Sequence, residues 1–247
     1  MVAVLPISYG ALSANFITLG LPIISAGLVA GSLILLQAGR ARDGTDAAVP
    51  PPPPFPRDWP RSWLVVRGRS LDAVRSALGL RHSRACSWGE GLAGVGKLFV
   101  ARPVKGWILV AGPALPDPSE DVDACFRWVC GLSEQLGQVQ FFRADVAVGH
   151  HAWIKAKRGR IVRAYAWAGE TVWNQGPITF EEKALGLGCF DYTVSAERLA
   201  PGQEHLLQTN CEKVVQLAAC WGVAPSDLGR LVTRSRCGIA GETSGGV

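Results

Sequence analysis

GHHAWIKAKRGRIVRAYAWAGETVWNQG, residues 149–176, holds three of the chain's nine tryptophans, two of its four histidines and five cationic residues. How it pairs with itself decides what kind of sheet the chain builds. Lys157-Arg158-Gly159 predicts a tight turn, with Gly159 able to take the left-handed conformation. Pairing Ala156 with Arg160 then sets Ile154 against Val162, Trp153 against Arg163, Ala152 against Ala164 and His151 against Tyr165. One face receives Ala152, Ile154, Val162, Ala164 and Ala166, small and aliphatic, suited to close packing of a helix. The other receives His151, Trp153, Lys155, Arg163, Tyr165 and Trp167. A slip of one residue would mix Arg163 with Ile154 and is the poorer solution.

The second face sets the functional question. Trp, Tyr and Arg give large contact area and directed polar groups at small entropic cost. Trp153, Arg163, Tyr165 and Trp167, with Trp173, Asn174 and Gln175 at the rim, are therefore the candidate binding residues for a protein partner. Trp153 over Arg163 would add a cross-strand cation–π contact of about 0.5–1 kcal/mol. The plainer reading has GETVWNQGPIT and the C-terminal helix fold over this face and bury it as a second core. Nucleic acid is the lesser alternative, with Lys155, Lys157, Arg158, Arg160 and Arg163 meeting phosphates between stacking rings.

Outward from the hairpin, strands alternate with helices. SWLVVRG reads as a strand, and Ser70 caps a short helix through Leu71, Val74 and Leu78. KLFVA and WILVA read as a hairpin closed by five residues, and QVQFF as a further strand. Between them, Val122, Cys125, Phe126, Val129, Leu132 and Leu136 recur on one helical face, with Ser119 as the expected cap. TFEE (179–182) and TNCE (209–212) both match the capping-box pattern and are each expected to start a helix. The sum is an α+β domain over residues 61–230, with a mostly antiparallel sheet of about five or six strands and helices packed on one face. The tail 231–247, rich in glycine and small polar residues, is expected to be disordered.

Residues 1–39 carry no charge, and the run FITLGLPIISAGLVAGSLILLQ, residues 16–37, is long and apolar enough to cross a bilayer. It predicts a single membrane anchor. An export signal and a mis-assigned start remain open, although no basic region precedes the run. Arg40 and Arg42 follow directly, which places the globular domain in the cytoplasm. Residues 40–60 form a linker whose five consecutive prolines, Pro50 to Pro54, favour a stiff extended rod. Seven scattered cysteines without a CxxC pair fit reduced thiols better than a disulfide framework. The net charge of +5 permits anionic partners and demands none.

Catalytic motifs fail on context. GEGLAG (89–94) is a formal GxGxxG and GLAGVGK (91–97) nearly a Walker A sequence. Neither follows a strand nor opens a helix, as phosphate binding requires. His150 and His151 are strand neighbours pointing to opposite faces, so they cannot share a metal, and no metal or cofactor is expected. A hydrolase or transferase using Cys86 or His151 is the alternative from another class, with no third member identified for a triad.

From Trp153 to Tyr192, WIKAKRGRIVRAYAWAGETVWNQGPITFEEKALGLGCFDY resembles a group of bacterial proteins in which a GRxxRAYxWxGE hairpin is followed by an NQG turn and an LGL helix. The likeness runs from about Trp63 to Trp221 and leaves out the anchor. It implies a bacterial, intracellular α+β domain and brings no activity or site residue with it. The expectation overall is a membrane-tethered cytoplasmic domain, non-catalytic, that binds a protein.

Overall fold

A computed structural model describes residues 60–68, 70–94, 97–224, 227 and 238–243. The expected membrane span at 16–37, and the linker apart from residue 60, lie outside these residues. Among the described residues no helix is long and apolar enough to cross a membrane.

A strand covered on one face alternates buried and exposed residues, whereas one covered on both reads as a continuous apolar run. β1 (Ser62–Arg67), β3 (Lys97–Ala101) and β4 (Trp107–Ala111) are of the second kind, buried at all but their end positions. The sheet they belong to is accordingly covered on both sides. It has nine strands, every neighbouring pair antiparallel, in the order β2-β9-β3-β4-β1-β5-β6-β7-β8. The remaining strands are β2 (Leu80–Cys86), β5 (Gln138–Asp145), β6 (His150–Lys157), β7 (Arg160–Trp167), β8 (Thr171–Gln175) and β9 (Gly238–Thr243). The expected five or six strands with helices on one face is therefore corrected on both counts.

One face of the sheet carries Leu64, Val66, Ile108, Phe141, Ile154 and Ala164, packed with Val74 of α1 (Leu71–Ala77) and Cys125, Val129 and Leu132 of α3 (Val122–Leu136). The other carries Trp63, Phe99, Phe142, Trp153, Tyr165 and Trp167, under α2 (Trp88–Leu92), α4 (Phe180–Leu185) and α5 (Glu204–Trp221). Face sharing follows from the twofold alternation of strand side chains.

Three sequence expectations change in detail. LRHSRACSW, directly ahead of the glycine-rich segment expected to follow no strand, contains edge strand β2, with a register shift between Arg81 and Arg84. The expected disordered tail contains β9, which pairs with β2 on one side and β3 on the other. The cap of α3 is Asp121, whose carboxylate accepts from Ala124 N at 2.8 Å, while Ser119 bonds Asp117 instead.

The hairpin register also differs. Arg158 and Gly159 both have positive φ, 50° and 77°, the signature of a two-residue primed turn. Lys157 pairs with Arg160 and Ala156 with Ile161, and after a bulge Lys155 pairs with Arg163, Ile154 with Ala164, Trp153 with Tyr165 and His151 with Trp167. Relative to the expected pairing, the partner along most of the hairpin moves by two residues. A two-residue move preserves faces, so the sorting of rings and cations from small aliphatic residues survives. Val162 is the exception, left 44% exposed beside the bulge.

Candidate functional site

Five of the seven candidate binding residues are inside the protein, while Asn174 is half-buried and Gln175 exposed at the end of β8. Trp153, Arg163 and Tyr165 are fully buried and Trp167 is 2% exposed. α4, the segment following it and α5 cover them. The recognition face expected at Trp153, Arg163, Tyr165 and Trp167 is therefore not presented to a partner in this structure; it is a second core, as the plainer reading held.

Its centre is an ion pair. Thr179 caps α4 by accepting from Glu182 N, and Glu182 returns a bond to Thr179 N, a capping box. The same carboxylate reaches across to the hairpin. Glu182 Oε1 accepts from Trp153 Nε1 at 2.8 Å and from Arg163 Nε at 2.9 Å, and Arg163 NH2 lies 2.8 Å from it. Neither ion of the pair is exposed at all. Burial alone would raise the Glu182 pKa, but the bonds from Arg163, Thr179 and Trp153 carry it below the ordinary carboxylate value. Arg163 NH1 also donates to Ala164 O and Asn174 Oδ1, both at 2.8 Å, and its NH2 to Cys189 Sγ at 3.1 Å. The guanidinium lies over Tyr165 at 5.9 Å, not over Trp153 as expected; Trp153 stands against Tyr165, ring centroids 4.9 Å apart. Buried charges are tolerated only when paired and hydrogen-bonded, and both conditions are met here.

The rim residues divide. Trp173 points to the opposite face, where its ring meets Phe126 of α3 at 5.6 Å, and its Nε1 donates to Gln175 Oε1 at 3.1 Å. Asn174 N donates to Tyr192 Oη at 2.7 Å, and Tyr192 Oη donates to Asn174 O at 3.2 Å. One hydroxyl thus satisfies both outward backbone groups of a residue in edge strand β8, a position otherwise open to pairing with another chain.

A second polar cluster lies at the start of β6. His151, 1% exposed, donates from Nδ1 to Gly149 O at 3.0 Å, and its Nε2 accepts from Asn210 Nδ2 at 2.9 Å. Asn210 also donates to Gly188 O and accepts from Gly188 N. Cys211 Sγ is 3.7 Å from His151 Nδ1. Spacing alone would suggest a nucleophile and its base, a pair that sequence reasoning missed because the two residues stand 60 positions apart. Proton placement rejects the suggestion, because Nδ1 already carries the hydrogen bonded to Gly149 and cannot take another from the thiol. Burial lowers the His151 pKa to about 4 and raises that of Cys211 to about 12, so the imidazole is neutral and the thiol protonated. Cys189, also raised to about 12 mainly by burial, is no better a nucleophile.

Cys86 is 3% exposed at the end of β2, and against expectation the glycine-rich segment does follow this strand and forms the one-turn helix α2, opened by a Ser87–Glu90 capping box. Five residues make no platform for a phosphate. Among the described residues no group of three or more His, Cys, Asp or Glu side chains could hold a metal ion. Lys155, from the expected basic face, lies 4.5 Å over the Trp221 ring, and burial lowers its pKa against the opposing pull of Glu181 and Glu182. No protein family, no curated protein and no solved structure matches this chain.

Proposed function

We propose that the domain is a non-catalytic docking module that works from its surface, while its concentrated polar chemistry serves the fold. One observation carries this reading: Glu182, His151, Cys189 and Cys211, side chains capable of acid–base or nucleophilic chemistry, are held in internal contacts that fix their protonation states. Attachment to a membrane through the uncharged run 16–37, with the domain on the cytoplasmic side, belongs to the same proposal and rests on the sequence.

A thiol-reactivity profile tests the first part. Exposed Cys220 should react quickly, whereas buried Cys125 and Cys211 should react only as fast as the domain opens, and half-buried Cys189 slowly because its thiol stays protonated. A burst at Cys86, or at Cys189 or Cys211 beside Arg163 and His151, in the native protein would restore the enzyme alternative. For the second part, residues 1–37 fused to a soluble reporter should sediment with membranes and resist carbonate extraction; a soluble fusion removes the tether.

A further inference from the structure

The β6–β7 turn presents Lys157, Arg158 and Arg160, all exposed, and none forms an ion pair with a described residue. Val162 stands beside them, 44% exposed. The end of β8 packs on the same spot, for a Cβ added at Gly176 would lie 2.3 Å from Val162 O. Two residues beyond Gly176 comes Ile178, 45% exposed, and then Phe180, 82% exposed at the first position of α4. Segments 157–162 and 176–180 therefore bring three unpaired cations and three exposed apolar side chains to one end of the sheet. Glu134, against Gly159, and Glu181, beside Phe180, are acidic neighbours; Lys183 on α4 adds a further exposed cation.

We propose that this tip docks on an anionic membrane surface, with Phe180 and Ile178 entering the interface and Lys157, Arg158 and Arg160 meeting the headgroups. The inference deepens the docking-module reading and rests on it. The unpaired cations call for an anionic occupant. Nucleic acid would use the cations but gain nothing from Val162 and Ile178, whereas burial of both in acyl chains is favourable. Phe180 projects from a helix start and offers its whole ring to a deformable phase. Chain length allows the contact. β1 begins at the opposite end of the sheet, Ser62 pairing with Arg143 while Lys157 pairs with Gln138 at the other end of β5. The eight residues of β5 span roughly 25 Å, and a linker of about 20 residues reaches well beyond that.

The test places p-benzoylphenylalanine at position 180 of the full chain, reconstituted in vesicles of phosphatidylcholine alone or mixed with phosphatidylserine, and reads lipid adducts after illumination. Near-ultraviolet dichroism from the buried tryptophans checks that each variant is folded. Adducts should form on the mixed vesicles, fall on the order of a hundredfold on phosphatidylcholine alone, where all three cations lose their headgroups, and fall about fivefold for each of Arg158→Ala and Arg160→Ala. Equal yields on both vesicles would overturn the proposal. Protein adducts without lipid adducts would overturn it too, while leaving a docking module with a protein partner. Absence of both would also overturn it, and the thiol profile would still judge the underlying reading separately.

Discussion

Replacing Glu182 with glutamine probes the link between hairpin and α4 most directly. The carboxylate receives Trp153 Nε1, Thr179 N and two nitrogens of Arg163 within 2.8–2.9 Å, and both ions are wholly buried. Glutamine keeps one acceptor oxygen but turns a donor toward these donors and removes the negative charge. Arg163 would then hold a buried cation with only neutral acceptors, at Ala164, Asn174, Gln175 and Gly176. Breaking a buried pair on one side costs about 3–5 kcal/mol. In a domain of this size each kcal/mol moves Tm by roughly 2–4 °C, so thermal unfolding followed by tryptophan emission should show a drop of about 10 °C. Adding Arg163→Met should recover part of the loss, because the unpaired charge goes. Acid should narrow the difference between parent and variant. The depressed carboxyl pKa contributes stability that is present above the ordinary carboxylate range and lost as pH falls below it. A Glu182→Gln protein within about 1 kcal/mol of the parent would refute the reasoning, since it would mean that Arg163 needs no counter-charge.

Two further outcomes follow from named contacts. His151 is kept neutral, with its pKa lowered from 6.5 to about 4, so the unfolded chain binds the extra proton first as pH falls. Stability should be full above pH 6.5 and decline between 6.5 and 4 by on the order of 3 kcal/mol; His151→Gln should flatten that slope in urea titrations, and an unchanged slope would exclude the assignment. At Gly176, φ is +79° and an added Cβ would meet Val162 O at 2.3 Å, whereas at Gly159 φ is +77° but the nearest atom is an ordinary 3.5 Å away. Gly176→Ala should therefore cost at least about 2 kcal/mol and Gly159→Ala only about 1; equal costs would show that the β8 end shifts freely.

The sequence made the face sorting of the hairpin legible although the register was wrong, because the error was an even number of residues. Thr179 and Glu182 were legible as a cap for a local reason: both ends of that bond lie within one turn. What could not be read was that Glu182 serves Arg163 as well, since a partner 19 residues away on another element leaves no periodic trace. The TNCE match failed because α5 starts earlier, at Glu204, and Thr209 falls within it. Coverage of both sheet faces did leave a signal, in the lack of alternation along β1, β3 and β4. β9 was missed because its glycines resemble a loose tail. They are required by close approach: a Cβ at Gly238 would strike Val100 O at 2.3 Å and the Phe99 ring, and one at Gly241 would come within 2.8 Å of Arg81 O. Burial of the ring face was one of three readings the pattern allowed, and nothing local could choose between them.

The position of β9 has a consequence for biogenesis. β9 sits between β2 and β3, two strands translated far earlier. At 5–20 residues per second, β2 and the apolar flank of β3 wait on the order of ten seconds after leaving the ribosome before their neighbour exists. During that interval Leu98, Phe99 and Val100 belong to an open rim, an adhesive edge for as long as β9 has yet to emerge. A premature stop ahead of β9 would release a chain with a permanently adhesive edge.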